Sequence, residues 1–120
     1  MKTSRDPRHQ KRVQIVQELF AWQFRSETEI KLEETQKVIE NREQIDKIIS
    51  DAAPEWPIAQ INRIDLAILR LAIYELVVDK STPFKVVVDE AVELAKSFGS
   101  EGSPGFINGT LGKVVSETTS

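Results

Sequence analysis

The sequence has no cysteine and a single histidine, His9. The missing thiols exclude disulfides, iron–sulfur clusters, thiolate zinc and cysteine nucleophiles. One histidine excludes a multi-histidine metal site within the chain. It leaves a Ser-His-Asp triad only if His9 serves it from the amino end. No apolar run approaches the roughly 18 residues that span a bilayer. The first residues also lack the apolar core of a signal peptide, so a cytoplasmic location is expected. There is no Walker loop, no dinucleotide fingerprint and no nucleophile elbow. What is present is 120 residues, 40% hydrophobic and 29% charged, the profile of one soluble globular domain that needs no covalent staple.

A net charge of −3 conceals an asymmetry. Lys2, Arg5, Arg8, Lys11 and Arg12 face a single acid, Asp6, within the first twelve residues. Residues 26–60 carry nine acids against four bases. A pI of 5.2 argues against a wholly basic nucleic-acid binder, whereas the cationic start argues for a small, directed contact with an anion. A frayed, merely solubilising terminus is the simpler alternative on charge alone.

Periodicity predicts an all-α, single-domain bundle of about five helices. The first covers residues 8–25, with Val13, Val16, Phe20 and Phe24 at three- and four-residue steps. Arg8 and Arg12 are i, i+4 neighbours on one face of it, and Arg5, ahead of Pro7, lies outside it. The second covers residues 27–52, opened by a Ser26–Glu29 capping box and striped by Leu32, Val38, Ile39, Ile45, Ile48, Ile49 and Ala52. The third, over residues 63–79, is apolar nearly all round and should be the central helix, with Arg70 and Glu75 at its rim or buried as a pair. The fourth, over residues 83–98, has Thr82 as N-cap, Pro83 as first helical residue and Gly99 as its stop. The β-branched run Val86, Val87, Val88 is read as helical because Ala91, Leu94, Ala95 and Phe98 keep the helical step. The fifth starts at Ser103 as N-cap with Pro104 after it. Gly109 and Gly112 weaken it or allow close packing on the third helix. Trp22, Trp56, Phe20, Phe84 and Phe98 are assigned to the core. A flexible basic arm over residues 1–7, a domain over 8–116 and a frayed tail over 117–120 complete the layout.

Few features offer chemistry. Asp89 and Glu93 are an i, i+4 acid pair best read as solvated. Three glycines in residues 99–105 lead into a helix amino end, which is a ready anion site but equally an ordinary helix–helix turn.

Four ordered motifs change this picture. The stretch Ile64-Asp-Leu-Ala-Ile-Leu-Arg-Leu-Ala-Ile-Tyr-Glu-Leu76 resembles the central helix of the NusB family of transcription antitermination factors. Pro83-Phe-Lys-Val-Val-Val-Asp-Glu-Ala-Val-Glu-Leu-Ala-Lys-Ser-Phe-Gly99 matches the same family at the same distance. Phe106-Ile-Asn-Gly-Thr-Leu111 is similar to its Phe-Val-Asn-Gly-Val-Leu motif. Gln17-Glu-Leu-Phe-Ala-Trp-Gln23 resembles its first helix. Together they cover most of residues 5–25 and 56–113. The departures are a short segment between the first two helices, so that one element of the bundle is missing, Gln60 and Leu66 where arginines are usual, Gly112 in place of an acid, and His9 and Gln10 between Arg8 and Arg12. They bear on RNA affinity more than on fold.

The resemblance implies a non-enzymatic RNA-binding protein that needs no cofactor or metal. It would load with the ribosomal protein NusE onto single-stranded boxA RNA of nascent ribosomal transcripts, within the antitermination complex of RNA polymerase. No membrane is involved, and the protein is a monomer or homodimer. Arg5, Arg8, Lys11 and Arg12 then hold the RNA backbone. Phe106 stacks a base, or else staples into the core. Lys2 and His9 are weaker candidates. The family layout places the partner surface near Gln60, Arg63 and Asp65. Two other readings remain: the fold also resembles the RNA-binding domain of certain rRNA cytosine methyltransferases, although this chain ends in a polar tail without a cofactor region, and a bundle can serve protein interaction alone.

Overall fold

A computed structural model describes residues 6–119 of the chain. Arg5 and Lys2 lie outside the described residues. Six α-helices form the domain: α1 (Pro7–Phe24), α2 (Glu33–Glu40), α3 (Arg42–Ala52), α4 (Arg63–Ile73), α5 (Phe84–Phe98) and α6 (Ser103–Thr119). A 3₁₀ turn (Ile58–Gln60) precedes α4, and α4 continues as a π-helical stretch (Tyr74–Asp79).

Helix α1 starts on Asp6, whose carboxylate accepts the Arg8 N–H at 2.9 Å, with Pro7 at the first helical position. Its buried residues are Ile15, Val16 and Leu19. The stripe expected through Phe20 and Phe24 is therefore displaced: those rings stand on a neighbouring, exposed face.

The single long second helix is corrected to two. Residues 25–32 are not helical. The Ser26–Glu29 box caps nothing, because Glu18 of α1 takes the Lys31 and Leu32 N–H groups at 2.8 and 3.3 Å and fixes that strand of chain as extended. Helix α2 then starts with Glu33 and Glu34 in its first turn, where carboxylates suit the helix dipole. Asn41 breaks the run at φ −102°, ψ 13°, and its amide donates to the Lys37 carbonyl at 2.7 Å. The apolar stripe survives the break, since Val38, Ile39, Ile45 and Ile49 all reach the core.

Helix α4 is central, as expected. Every residue from Asp65 to Glu75 is buried, and α1, α3, α5 and α6 all pack on it. Asn62 caps it by accepting the Ile64 N–H at 2.9 Å. Lys80, in the left-handed region at φ 61°, closes the π stretch by donating its N–H to the Glu75 carbonyl at 2.9 Å.

Three terminus assignments shift. Pro83, not Thr82, occupies the N-cap position of α5, so that helix begins at Phe84. Ser103 is already helical, and its hydroxyl turns back to accept the Ser100 N–H at 2.9 Å. Helix α6 runs to Thr119, past the end expected at residue 116. Gly109 and Gly112 face open space, so close packing does not explain them.

Gly99 stops α5 for a reason other than a left-handed φ. Its backbone is extended, but a Cβ there would lie 2.5 Å from the Ser103 side chain and 2.8 Å from the Ala95 carbonyl oxygen. Gly99→Ala is therefore expected to cost about 1–3 kcal/mol through overpacking, read as a lower midpoint in urea with an unchanged slope.

The core is aliphatic. Leu19, Ile45, Ile49, Ile68, Leu69, Ile73, Leu94, Ile107 and Leu111 are fully enclosed, and Tyr74 is the buried aromatic. The assignment of Phe20, Trp56, Phe84 and Phe98 to the core is overturned, because all four are exposed; Trp22 is half-buried against the core. Leucine, isoleucine and valine side chains already fill the space between the helices, which leaves the large rings at the rims.

Candidate nucleic-acid interface

The first two turns of α1 send their cations in different directions. Arg8 is 86% exposed and makes only a 3.6 Å approach to Asp6. Lys11 pairs with Glu34 of α2 at 2.9 Å, both ends half-exposed. The Lys11 ammonium holds the Glu34 carboxyl below its ordinary pKa. Such a pair contributes little to stability and exchanges readily.

Arg12 turns inward, with only 12% of its side chain exposed. Its Nε and Nη2 donate to both oxygens of Glu75 on the π stretch after α4, at 2.9 and 2.7 Å, and its Nη1 donates to Glu90 of α5 at 3.3 Å. Glu75 raises the pKa of the guanidinium above its ordinary value despite burial. His9 Nδ1 lies 3.2 Å from the same Glu90 oxygen. The expectation that Arg12 faces RNA is thus corrected by its burial: Arg12 and His9 lock the start of α1 onto two other helices. Glu75 and Arg70 are both buried, as one reading allowed, but each pairs elsewhere.

Arg12 and Glu75 also border a recess of about 380 Å³ between α1, α2 and the end of α4. Arg8, Lys11, Glu34 and Asp79 stand around it, with Tyr74 and the apolar Pro7, Ile15 and Leu71 also in its lining. Burial, with Asp79 nearby, raises the Tyr74 phenol above its ordinary pKa, so its hydroxyl stays protonated and can donate a hydrogen bond.

The amino end of α6 is a second, separate place. Phe106 is half-buried and meets Trp56 edge to face at 6.5 Å between centroids. Trp56 is 46% exposed, so the pair offers an aromatic edge to solvent. The neighbouring surface groove is lined by Asp89, Glu93, Lys96, Gly105 and Asn108, and Lys96 is paired with Glu93 at 3.8 Å. The two acids disfavour a phosphate at this helix end. Phe106 does not line the α1 recess. Helix α1 meets α5 at Glu90, and α6 begins beyond Phe98, an axial rise of about 12 Å along α5.

Of the three residues assigned to a partner surface, Gln60 and Arg63 are exposed, whereas Asp65 is buried, with one carboxylate oxygen lacking a hydrogen-bond partner. Burial raises its pKa, against the opposing effect of the Ser103 hydroxyl. Asp65 is therefore removed from that surface. Sequence reasoning missed what stands there. Phe20 and Phe24 meet edge to face at 4.9 Å, and the Arg63 guanidinium lies 5.1 Å from the Phe24 ring. Arg63 and Gln23 exchange bonds through their carbonyls at 3.0 and 2.8 Å. Beneath them Arg70 is bidentate to Asp46 at 2.9 and 2.8 Å and lies 5.7 Å from the Trp22 ring centre. The i, i+4 spacing of Phe20 and Phe24 was the available signal; it fits a surface seam as well as a core face.

Among the described residues, no group of His, Asp and Glu is placed to hold a metal ion. Among the same residues, no helix is long and apolar enough to cross a membrane.

The sequence profile of the NusB family matches residues 33–116. The chain belongs to the NusB family. Among curated relatives, the transcription antitermination protein NusB of Chloroflexus aggregans is 53% identical over 78 residues, 63% of this chain and 52% of its own. That of Geobacter sulfurreducens is 47% identical over 79 residues, 66% of this chain and 57% of its own. The chain thus spans a little over half the length of the curated relatives it matches. The solved T. maritima NusB superimposes with a TM-score of 0.84 at 31% identity, covering 98% of this chain and 94% of that one. A complex of the antitermination factors NusB and NusE with double-stranded RNA contains a chain of the same fold: TM-score 0.79, 23% identity, 93% and 99% covered. The NusB match begins at Glu33, so the cationic first helix lies ahead of it.

Proposed function

We propose that this NusB-family chain is a non-catalytic, RNA-binding transcription antitermination protein. It takes a single strand of boxA type, from nascent ribosomal transcripts, at the start of α1, and docks NusE on the face of Phe24 and Arg63, as part of the antitermination complex of RNA polymerase. The observation that carries the RNA reading is the convergence of Arg8 and Lys11 on one recess, with Arg8 largely exposed beside Asp6 and Lys11 in an exchangeable pair. Arg5 joins them as a third phosphate contact. Arg12 acts through them, by fixing where α1 lies. Phe106, with Trp56, offers a stacking platform farther along the strand. The NusE reading rests on the exposed aromatic seam and on a NusB-fold chain having been solved together with NusE and RNA.

Titration of boxA-like and scrambled RNA, with and without NusE, across a salt series tests both parts. Three phosphate contacts give a log–log salt slope near −2, whereas a fourth from Arg12 gives about −3. Arg8→Ala is expected to reduce the slope by about 0.7 and weaken binding to all sequences alike, with the melting temperature unchanged. Affinity that does not respond to salt, or no binding even with NusE present, refutes the proposal.

A further inference from the structure

The recess at the start of α1 has a composition that simple phosphate binding does not require. A row of cations is enough to hold a backbone, yet here the cations stand around a cavity of about 380 Å³, within the roughly 300–1,000 Å³ range of small-molecule sites. Its lining is mixed in a particular way. Pro7, Ile15 and Leu71 supply apolar surface, Glu34 and Asp79 supply carboxylate acceptors, and Tyr74 supplies a hydroxyl.

We infer that this recess is a base pocket: it accepts one unpaired nucleobase of the bound RNA strand, with preference for a base that carries an exocyclic amine. The inference deepens the RNA-binding reading and rests on it.

Each part of a nucleotide finds its complement. The flat faces of the base suit the apolar lining, and the exposed planar guanidinium of Arg8 can close over it, a stacking mode common in single-stranded RNA recognition. The amine donates one N–H to Glu34 and the other to Asp79, because an ionised carboxylate accepts at up to about four lone-pair positions. Asp79 uses one oxygen for the Ser81 hydroxyl at 2.6 Å, and Glu34 uses one for Lys11, so acceptor capacity remains on both. The phosphate belongs on Lys11 and Arg8. The Lys11–Glu34 pair thus gains on both sides, its ammonium meeting a phosphate and its carboxylate meeting an amine. Uracil, which presents carbonyl oxygens where cytosine presents an amine, sets acceptors against these carboxylates. Arg12, committed to Glu75 and Glu90, forms a fixed wall.

The test compares oligo(C) and oligo(U) of equal length by fluorescence anisotropy at one salt concentration, using the full chain. Wild type is expected to bind oligo(C) about tenfold more tightly. Asp79→Asn, which keeps the shape and replaces acceptors by an amide, should cut that preference below about threefold. Thr82→Trp, which fills the recess from its half-exposed rim, should lower affinity for oligo(C) to the oligo(U) level while leaving the salt slope at its wild-type value. If Thr82→Trp lowers the melting temperature, Asp79→Asn carries the test alone. Equal affinity of wild type for the two oligomers, or an unchanged preference in Asp79→Asn, overturns the pocket and leaves RNA binding standing. Free CMP competing as strongly as oligo(C) also overturns it, by assigning the recess to a free nucleotide. Failure of wild type to bind either oligomer is instead the failure of the RNA-binding reading.

Discussion

Arg12→Ala is expected to destabilise the domain by about 3 kcal/mol. The substitution leaves Glu75 and Glu90, both nearly enclosed, without the guanidinium that holds them together. Breaking a buried pair typically costs about 3–5 kcal/mol, chiefly because a charge stays behind without compensation. The lower end applies here, since the arginine retains some contact with solvent. Urea unfolding should show the midpoint falling with little change in slope, and the melting temperature should drop by about 10–15 °C. Arg12→Lys should recover only part of the loss, because an ammonium cannot reproduce the two parallel bonds to Glu75. Arg8→Ala, at a fully solvated position, should stay within about 0.5 kcal/mol of wild type. Equal stability of the Arg8 and Arg12 variants would show that Arg12 is a surface cation after all. Loss of RNA affinity in Arg12→Ala is thus expected to follow loss of fold, whereas in Arg8→Ala it occurs without it.

Phe24→Ala is expected to weaken binding of NusE by about 30-fold, equivalent to about 2 kcal/mol, the scale of an interface hot spot. Phe24 is 58% exposed, edge-on to Phe20 and beneath the Arg63 guanidinium, an aromatic and arginine grouping characteristic of interface centres. The isolated domain should lose little stability, because that ring contributes little to the core. Calorimetric titration of NusE into wild type and variant, alongside melting curves, separates the two effects. An unchanged dissociation constant would move the docking surface elsewhere.

Much of the bundle was legible in the residues. The all-apolar run through Ile68 and Leu69 marks a helix surrounded by others, and the Val86–Val88 run is helical because the residues after it keep a helical step. What the sequence concealed was competition between distant groups. The Ser26–Glu29 pattern is a sound local cap signal, but Glu18 reaches the Lys31 and Leu32 amides first and keeps that segment extended. Asn41 reads as one polar residue on a solvated face, yet its side chain takes a backbone carbonyl and ends a helix. The candidate site divides in the same way. Arg8 and Lys11 are visible as a cationic start. Nothing in the order of residues distinguishes Arg12 from them, because its fate depends on acids 63 and 78 positions further along the chain. Asp65 likewise looks like a surface acid until Asn62 begins α4 in a register that turns it inward.

The lock between Arg12, Glu75 and Glu90 has a consequence for timing. A growing polypeptide that has emerged only as far as its first helix already carries every charge of the cationic rim, but with nothing to hold their spacing. The third anchor point arrives with residue 90, the last of the three to be made. On the proposed RNA-binding reading, recognition competence is therefore a property of the assembled tertiary structure, and a chain not yet extended to residue 90 offers a transcript only a loose attraction.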